Sequence, residues 1–175
     1  FKYGKDFIAM SIERVREYLK QFQADQNILE FPVSSATVEL AAQAANCEPA
    51  RIAKTLSFYG QNGCLLVVAA GDAKIDNSKF KHTFGCKAKM LSPEDVLTMT
   101  GHAIGGVCPF GIPETASVYL DISLQRFHTV FPACGSSNSA IELDCDTLFR
   151  YADAIDWVDV CKGWQENKES IDEAD

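Results

Sequence analysis

The most unusual local sequence in this chain is Gly101-His-Ala-Ile-Gly-Gly-Val-Cys-Pro-Phe-Gly111, four glycines and a proline within eleven residues. Gly105, Gly106 and Gly111 permit backbone geometries closed to other residues, and Pro109 stiffens the loop while withholding an N–H. Such a loop can turn several N–H groups toward one point, which is the hardware of an oxyanion hole or an anion cradle, and water can then serve as nucleophile. A plain turn from a helix to a strand would use the same glycines. Neither nucleotide-phosphate fingerprint fits, because G-x-x-x-x-G-K-[ST] is missing and the loop has no G-x-G-x-x-G. Lys54 is the second candidate: between Ile52-Ala53 and Leu56 its ammonium must find a partner or reach water along its apolar stem. Cys108 and His102 suggest a thiol hydrolase, with a buried, inert thiol as the alternative. Glu114, Asp121 and Glu142 lack a spacing that would pair them as acid and base. Cys134-Gly-Ser-Ser-Asn-Ser139 offers hydroxyls on a flexible turn, or simply a hairpin between two strands.

The elements that must position these groups can be read from periodicity and punctuation. Ser11 reads as an N-cap, followed by Ile12, Val15, Leu19 and Phe22 on one helical face. Ser35 or Thr37 caps a second helix, Val38 to Ala45, which Asn46 ends. Pro49 to Lys54 reads as a short helix running into a strand, Thr55 to Tyr59, placing Lys54 at the junction. Gln61-Asn62-Gly63 turns the chain into an apolar strand, Cys64 to Ala70. Ser92-Pro93-Glu94-Asp95 opens a helix that stops at Gly101. Further strands are expected at Lys87 to Leu91, Ser117 to Ile122, Thr129 to Ala133 and Ala140 to Leu143, with helices at Thr147 to Ala154 and Ser78 to Phe84. Helices and strands intermingle without regular alternation, so the expected fold class is mixed α/β, a largely antiparallel sheet with helices packed around it.

Composition narrows the class. At 175 residues, 47% hydrophobic and 23% charged, the chain suits one globular domain. A domain of this size hides roughly 70% of the surface its unfolded chain exposes. It contains no apolar run of eighteen residues, and no apolar signal core in its first twenty, so membrane insertion and secretion are not expected. Seven cysteines without a C-x-x-C pair read as free thiols in a reducing cytoplasm. The net charge of −8 is concentrated late: from Glu142 onward there are eleven acids against three bases, whereas residues 1–141 hold thirteen of each. Residues 165–175 read as an acidic tail following a single domain over 1–164. Lys79, Lys81, Lys87 and Lys89, interleaved with Phe80 and Phe84, form a small phosphate-contacting stretch or a solvated face.

Taken together, Ala41-Ala42, Pro49-Ala-Arg-Ile-Ala-Lys-Thr-Leu56, Leu65-Leu-Val-Val-Ala-Ala-Gly-Asp72, Thr100 through Gly111, Val118-Tyr-Leu-Asp121, Ala133-Cys-Gly135 and Ile141-Glu-Leu143 resemble the YbaK and prolyl-tRNA-synthetase-associated editing domain family. The likeness spans residues 11–155. It implies a barrel-like mixed sheet and a free-standing factor that hydrolyses the ester joining a wrong amino acid to the 3′ end of a tRNA. Carried over by position, Lys54 is the family's lysine, and Gly105, Gly106, Val107, Cys108 and Pro109 form its G-x-x-x-P loop. Phe31, Thr55, His102, Gly135, Ser136 and Ser137 would contact substrate. The implied partners are the acceptor end of an aminoacyl-tRNA and an aminoacyl-tRNA synthetase, with no DNA or membrane partner, no metal and no cofactor. Members resembling the cysteinyl-tRNA-Pro deacylase carry an aspartate where Ala140 stands, which brings this chain closer to members clearing small residues such as alanine, or to uncharacterised relatives. A non-catalytic module that binds tRNA or a synthetase is the competing reading.

Overall fold

The computed structural model describes residues 4–165, so the acidic stretch expected at 165–175 lies, from 166 on, outside the described residues. In chain order the elements are α1 (Gly4–Leu19), β1 (Leu29–Glu30), α2 (Val38–Ala45), β2 (Ile52–Tyr59), β3 (Cys64–Ala70), β4 (Lys74–Ile75), α3 (Asn77–Phe84), α4 (Pro93–Thr100), β5 (Ala116–Asp121), β6 (Phe131–Pro132), β7 (Ser139–Ala140), α5 (Cys145–Tyr151), β8 (Asp156–Val158) and β9 (Cys161–Lys162). Short side chains start four of the helices. Thr37, Asp76, Ser92 and Asp144 each accept the N–H three residues on, at α2, α3, α4 and α5, a cap typically worth about 1 kcal/mol. Asn46, Gly85 and Gly101 close α2, α3 and α4 in the left-handed conformation.

The main sheet has strand order β6-β2-β3-β5-β8. Its centre is β3, whose seven residues are all buried, as an uninterrupted apolar run requires when both sheet faces are covered. The mixed α/β architecture is the expected one, but its antiparallel character is local. Only the β2–β3 hairpin is antiparallel within the five-stranded sheet, and β2–β6, β3–β5 and β5–β8 are parallel. The ribbons β1–β7 and β4–β9 add further antiparallel pairs. Phe80 of α3 is fully buried and packs its ring against Phe58 and Phe84 at centroid distances of 4.8 and 4.7 Å, geometry favoured between aromatic quadrupoles.

Several local expectations are corrected. Ser11 is not a cap: α1 begins at Gly4, and Ser11 sits buried inside it. The turn at Pro49–Arg51 is a single 3-10 turn, because Ile52 already pairs with Phe131, so Lys54 lies inside β2 and not at a helix–strand junction. Residues 87–91 make no full strand. Lys89 and Leu91 bond Tyr59 and Ser57 through their backbones around one bridge at Met90, and Ser92-Pro93 then diverts the chain into α4. The strands expected at 129–133 and 140–143 shrink to β6 and β7 plus isolated bridges at Val130–Leu143 and Ala133–Ala140. α5 spans Cys145–Tyr151, starting two residues before the expected Thr147 because Asp144 provides the cap.

Candidate active site

A cleft of about 260 Å³ opens between the start of α2, the first half of β2 and the glycine-rich loop. Lys54 and Thr55 line it from β2, and Ile104, Gly105 and Val107 line it from the loop. Residues 54 and 105, 51 positions apart in sequence, thus share one cavity. Phe131, Ala133 and Ala140 supply apolar lining, and Ala140 sets no carboxylate there.

The Lys54 ammonium is half-buried and donates to the carbonyls of Gly71, at 3.2 Å, and Ala73, at 2.5 Å. Burial lowers its pKa below the ordinary lysine value, opposed by Cys161 and Asp72. An ammonium has three donors, so two carbonyl contacts leave one for a ligand.

The opposite wall is backbone. Gly105 adopts φ +95°, and its position faces Ala36 and Ser137. Gly106 is required for a different reason: a Cβ there would lie 2.8 Å from the Gly135 carbonyl carbon and 2.9 Å from the Ser136 nitrogen. The Gly106 N–H closes a turn onto Ala103 O at 3.0 Å, whereas among the described residues no hydrogen bond takes up the N–H groups of Gly105, Val107 or Cys108.

His102 holds this loop from behind. It is fully buried, its backbone N–H donates to Thr100 Oγ1, its Nε2 bonds Phe110 O at 2.8 Å, and its Nδ1 bonds the Ser11 hydroxyl. A carbonyl only accepts, so Nε2 carries the proton and Nδ1 accepts from Ser11. Burial pushes the imidazole pKa down to about 4. Arg14 donates to Gly101 O and lies against Gly111, so α1 braces both ends of the loop. Cys108 is fully buried, and burial pushes its thiol up to about 12. Its sulfur lies 3.5 Å from His102 Nε2, which is committed to Phe110 O. A thiolate nucleophile needs the opposite environment, so the thiol-hydrolase reading is overturned.

The other predicted residues divide. Thr55 faces the cleft, and its buried Oγ1 has no hydrogen-bond partner among the described residues. His102 and Cys108 lie behind the loop, and Pro109 is buried with them. Gly135 packs against Ser11, with a Cβ there only 2.9 Å from Ser11 O. Ser136 Oγ pairs with Ser139 Oγ at 2.6 Å, and the Ser137 carbonyl accepts from Ser35 N at 2.6 Å. Phe31 packs with a small cluster that includes Ala41, Ile52, Phe131 and Ala140. Of the lysines, Lys79 is paired with Asp159 at 3.0 Å, Lys89 lies 5.3 Å above the Tyr59 ring, and Lys81 and Lys87 are exposed. Ser35 is the lining residue whose role as a cleft group was missed: its hydroxyl is buried without a hydrogen-bond partner among the described residues. The sequence marked it only as one of two possible caps, and Thr37 takes that role.

The mixed sheet thus brings a lysine and a glycine-rich loop with unclaimed backbone N–H groups to one cleft. The model of the aminoacyl-tRNA editing domain matches residues 33–151, and the chain belongs to that family. It is 55% identical over 157 residues to the uncharacterized protein YwhH of Bacillus subtilis, covering 89% of this chain and all of that protein. A crystal structure described as a candidate trans-editing enzyme for prolyl-tRNA synthetase superposes with a TM-score of 0.79 at 30% identity, over 87% of this chain and 98% of that one. The proline–tRNA ligase of Thermotoga maritima is 26% identical over 98 residues, 55% of this chain but 17% of the ligase.

Proposed function

We propose that the chain is a trans-editing aminoacyl-tRNA deacylase, cleaving the ester between a small noncognate amino acid and the 3′ end of tRNA-Pro or a related tRNA in the cytoplasm. The unit that does so is the single domain over residues 1–164. The observation that carries the reading is the meeting of Lys54 and the Gly105–Val107 backbone across one cleft.

In this mechanism the ester carbonyl lies against the loop, where the N–H groups of Gly105, Val107 or Cys108 stabilise the developing oxyanion, at about 3 kcal/mol per donor. Lys54 uses its remaining N–H to hold the terminal ribose or phosphate and fix the ester against the loop. Water attacks, with or without help from the neighbouring hydroxyl of the tRNA. The apolar lining at Phe131, Ala133 and Ala140 suits a small side chain without a positive charge. The exposed rim residues Met90 and Ile104 adjoin the opening that the terminal nucleotide would enter. An aminoacyl-tRNA synthetase is the expected protein partner.

The test is hydrolysis of tRNAs charged with alanine, cysteine, serine, threonine and proline, by the intact protein and by Lys54→Ala. Loss of one or two noncognate esters that slows about 10²-fold in the variant, with unchanged thermal unfolding, is the expected result. Binding of tRNA without ester loss would overturn catalysis in favour of a binding module.

A further inference from the structure

The two carbonyls that hold Lys54 belong to Gly71 and Ala73, which flank Asp72 in the turn after β3. Asp72 makes two parallel bonds to Arg126, Oδ1 to Nη2 at 2.6 Å and Oδ2 to Nη1 at 3.0 Å. Both side chains are largely buried, with exposures of 18% and 16%. Paired, planar contacts of this kind fix orientation as well as distance.

Arg126 is itself held on three sides. Its Nε donates to Ser123 O at 2.9 Å, and its guanidinium carbon lies 4.8 Å from the Phe127 ring centre and 5.0 Å from that of Trp164. Ser123 in turn accepts from Ala70 N at 3.1 Å and donates its own N–H to Asp121 Oδ2 at 3.0 Å. The chain of contacts therefore returns to the end of β3, where the turn begins. From the other side Gly71 abuts Pro49, with a Cβ there falling 2.0 Å from the Pro49 carbonyl oxygen.

We propose that Asp72 and Arg126 are positioning residues for Lys54: their ion pair locks the turn whose two carbonyls aim the ammonium into the cleft. The proposal rests on the reading of Lys54 as the substrate-positioning lysine. Lysine needs such a device, because its four-carbon stem leaves the charged end free to wander. Removing either partner lets the turn rotate and releases the ammonium, although neither residue touches substrate.

The test is a proton titration of Lys54, followed by NMR of lysine labelled at Cε, alongside deacylation and thermal unfolding, in Asp72→Asn, Arg126→Gln and Arg126→Lys. Release relieves the burial that lowers the Lys54 pKa, so both neutral variants raise it toward the ordinary lysine value, Asp72→Asn by less because it also removes an anion that raises that pKa. Both variants are expected to lower kcat about 10²-fold, with KM changing far less. Arg126→Lys, which keeps the charge but loses the fork, recovers part of kcat and restores the Lys54 titration. Lys54 titrations unchanged in both neutral variants would overturn the proposal, and so would a lowered Lys54 pKa in Arg126→Gln. Should Asp72→Asn fail to fold, the opposed behaviour of Arg126→Gln and Arg126→Lys decides alone. If the unaltered protein hydrolyses no ester, the deacylase reading fails, while the titration still reports whether the ion pair governs Lys54.

Discussion

The two walls of the cleft are built on opposite plans. On the β2 side the group proposed to position substrate is a side chain standing on a strand paired with both neighbours, and its ammonium rests on carbonyls from a nearby turn. On the loop side the groups proposed to hold the oxyanion are backbone N–H donors in irregular chain, held from behind by His102, Ser11 and Arg14. A side chain can be deleted from a paired strand while the strand remains. A backbone donor cannot be deleted, and is lost only by moving the loop. Each wall therefore has its own way of failing: truncation disarms the first, and added bulk or a lost brace disarms the second.

Gly105→Ala attacks the loop wall directly and has the largest expected effect. A Cβ at position 105 meets only ordinary contacts with Ala36 and Ser137, so space is not the difficulty. The difficulty is φ +95°, which an L side chain rarely adopts, and the loop relieves the strain by rotating its N–H groups away. The expected loss in kcat is about 10²- to 10³-fold, the cost of an oxyanion donor. Single-turnover kinetics on a charged tRNA measures it, and an active Gly105→Ala would remove the loop from the mechanism.

His102 tests the brace, through pH. Its folded-state pKa of about 4 lies below the unfolded value of 6.5, so between these values the unfolded chain binds more protons than the folded one. Stability attached to the neutral imidazole is present above pH 6.5 and is lost as pH falls toward 4, in total about 3 kcal/mol. Urea unfolding of the intact protein should show this slope, and His102→Gln should flatten it. An identical slope in both would assign the acid sensitivity to other groups. Cys108→Ser belongs to the same wall but should leave turnover within about twofold, because the Cys108 side chain is fully buried behind the loop and does not line the cleft.

The same contrast explains what could be read from the sequence. Thr37, Ser92 and Gly101 act within a few residues of themselves, and their helices begin or end where those residues stand. The burial of β3 follows from its unbroken apolar run. Lys54 was identifiable through its apolar neighbours and its family resemblance, yet its place within β2 depended on pairing with β6, almost 80 residues away. The brace was not legible at all. Ser11 looks like a cap and His102 like a ligand contact until the fold brings them together across 91 positions. Lys79 looks like one more basic residue in a run until Asp159, 80 positions on, pairs with it. Local rules recover elements, whereas the supports of this site are long-range contacts between polar residues with no periodicity to betray them.

The smallest expected effect concerns how the two walls divide the charge at the cleft mouth. Ile104 on the loop side is 64% exposed and uncharged, whereas Met90, which also lines the cleft, follows directly after Lys89 and three residues after Lys87. The backbone of Lys89 is tied to Tyr59 of β2, and its ammonium lies 5.3 Å above the Tyr59 ring. If these two lysines contact acceptor-end phosphates, Lys87→Ala with Lys89→Ala should flatten the dependence of log affinity on log salt by about 1.4, near 0.7 for each single-strand phosphate contact. Turnover of bound substrate should stay the same, since neither residue lines the cleft. Lys79→Ala should leave the slope unchanged, because its charge is already matched by Asp159 at 3.0 Å. A slope insensitive to the double substitution would make the run a solvated face, and would leave Lys54 as the positive charge that the β2 wall offers to RNA.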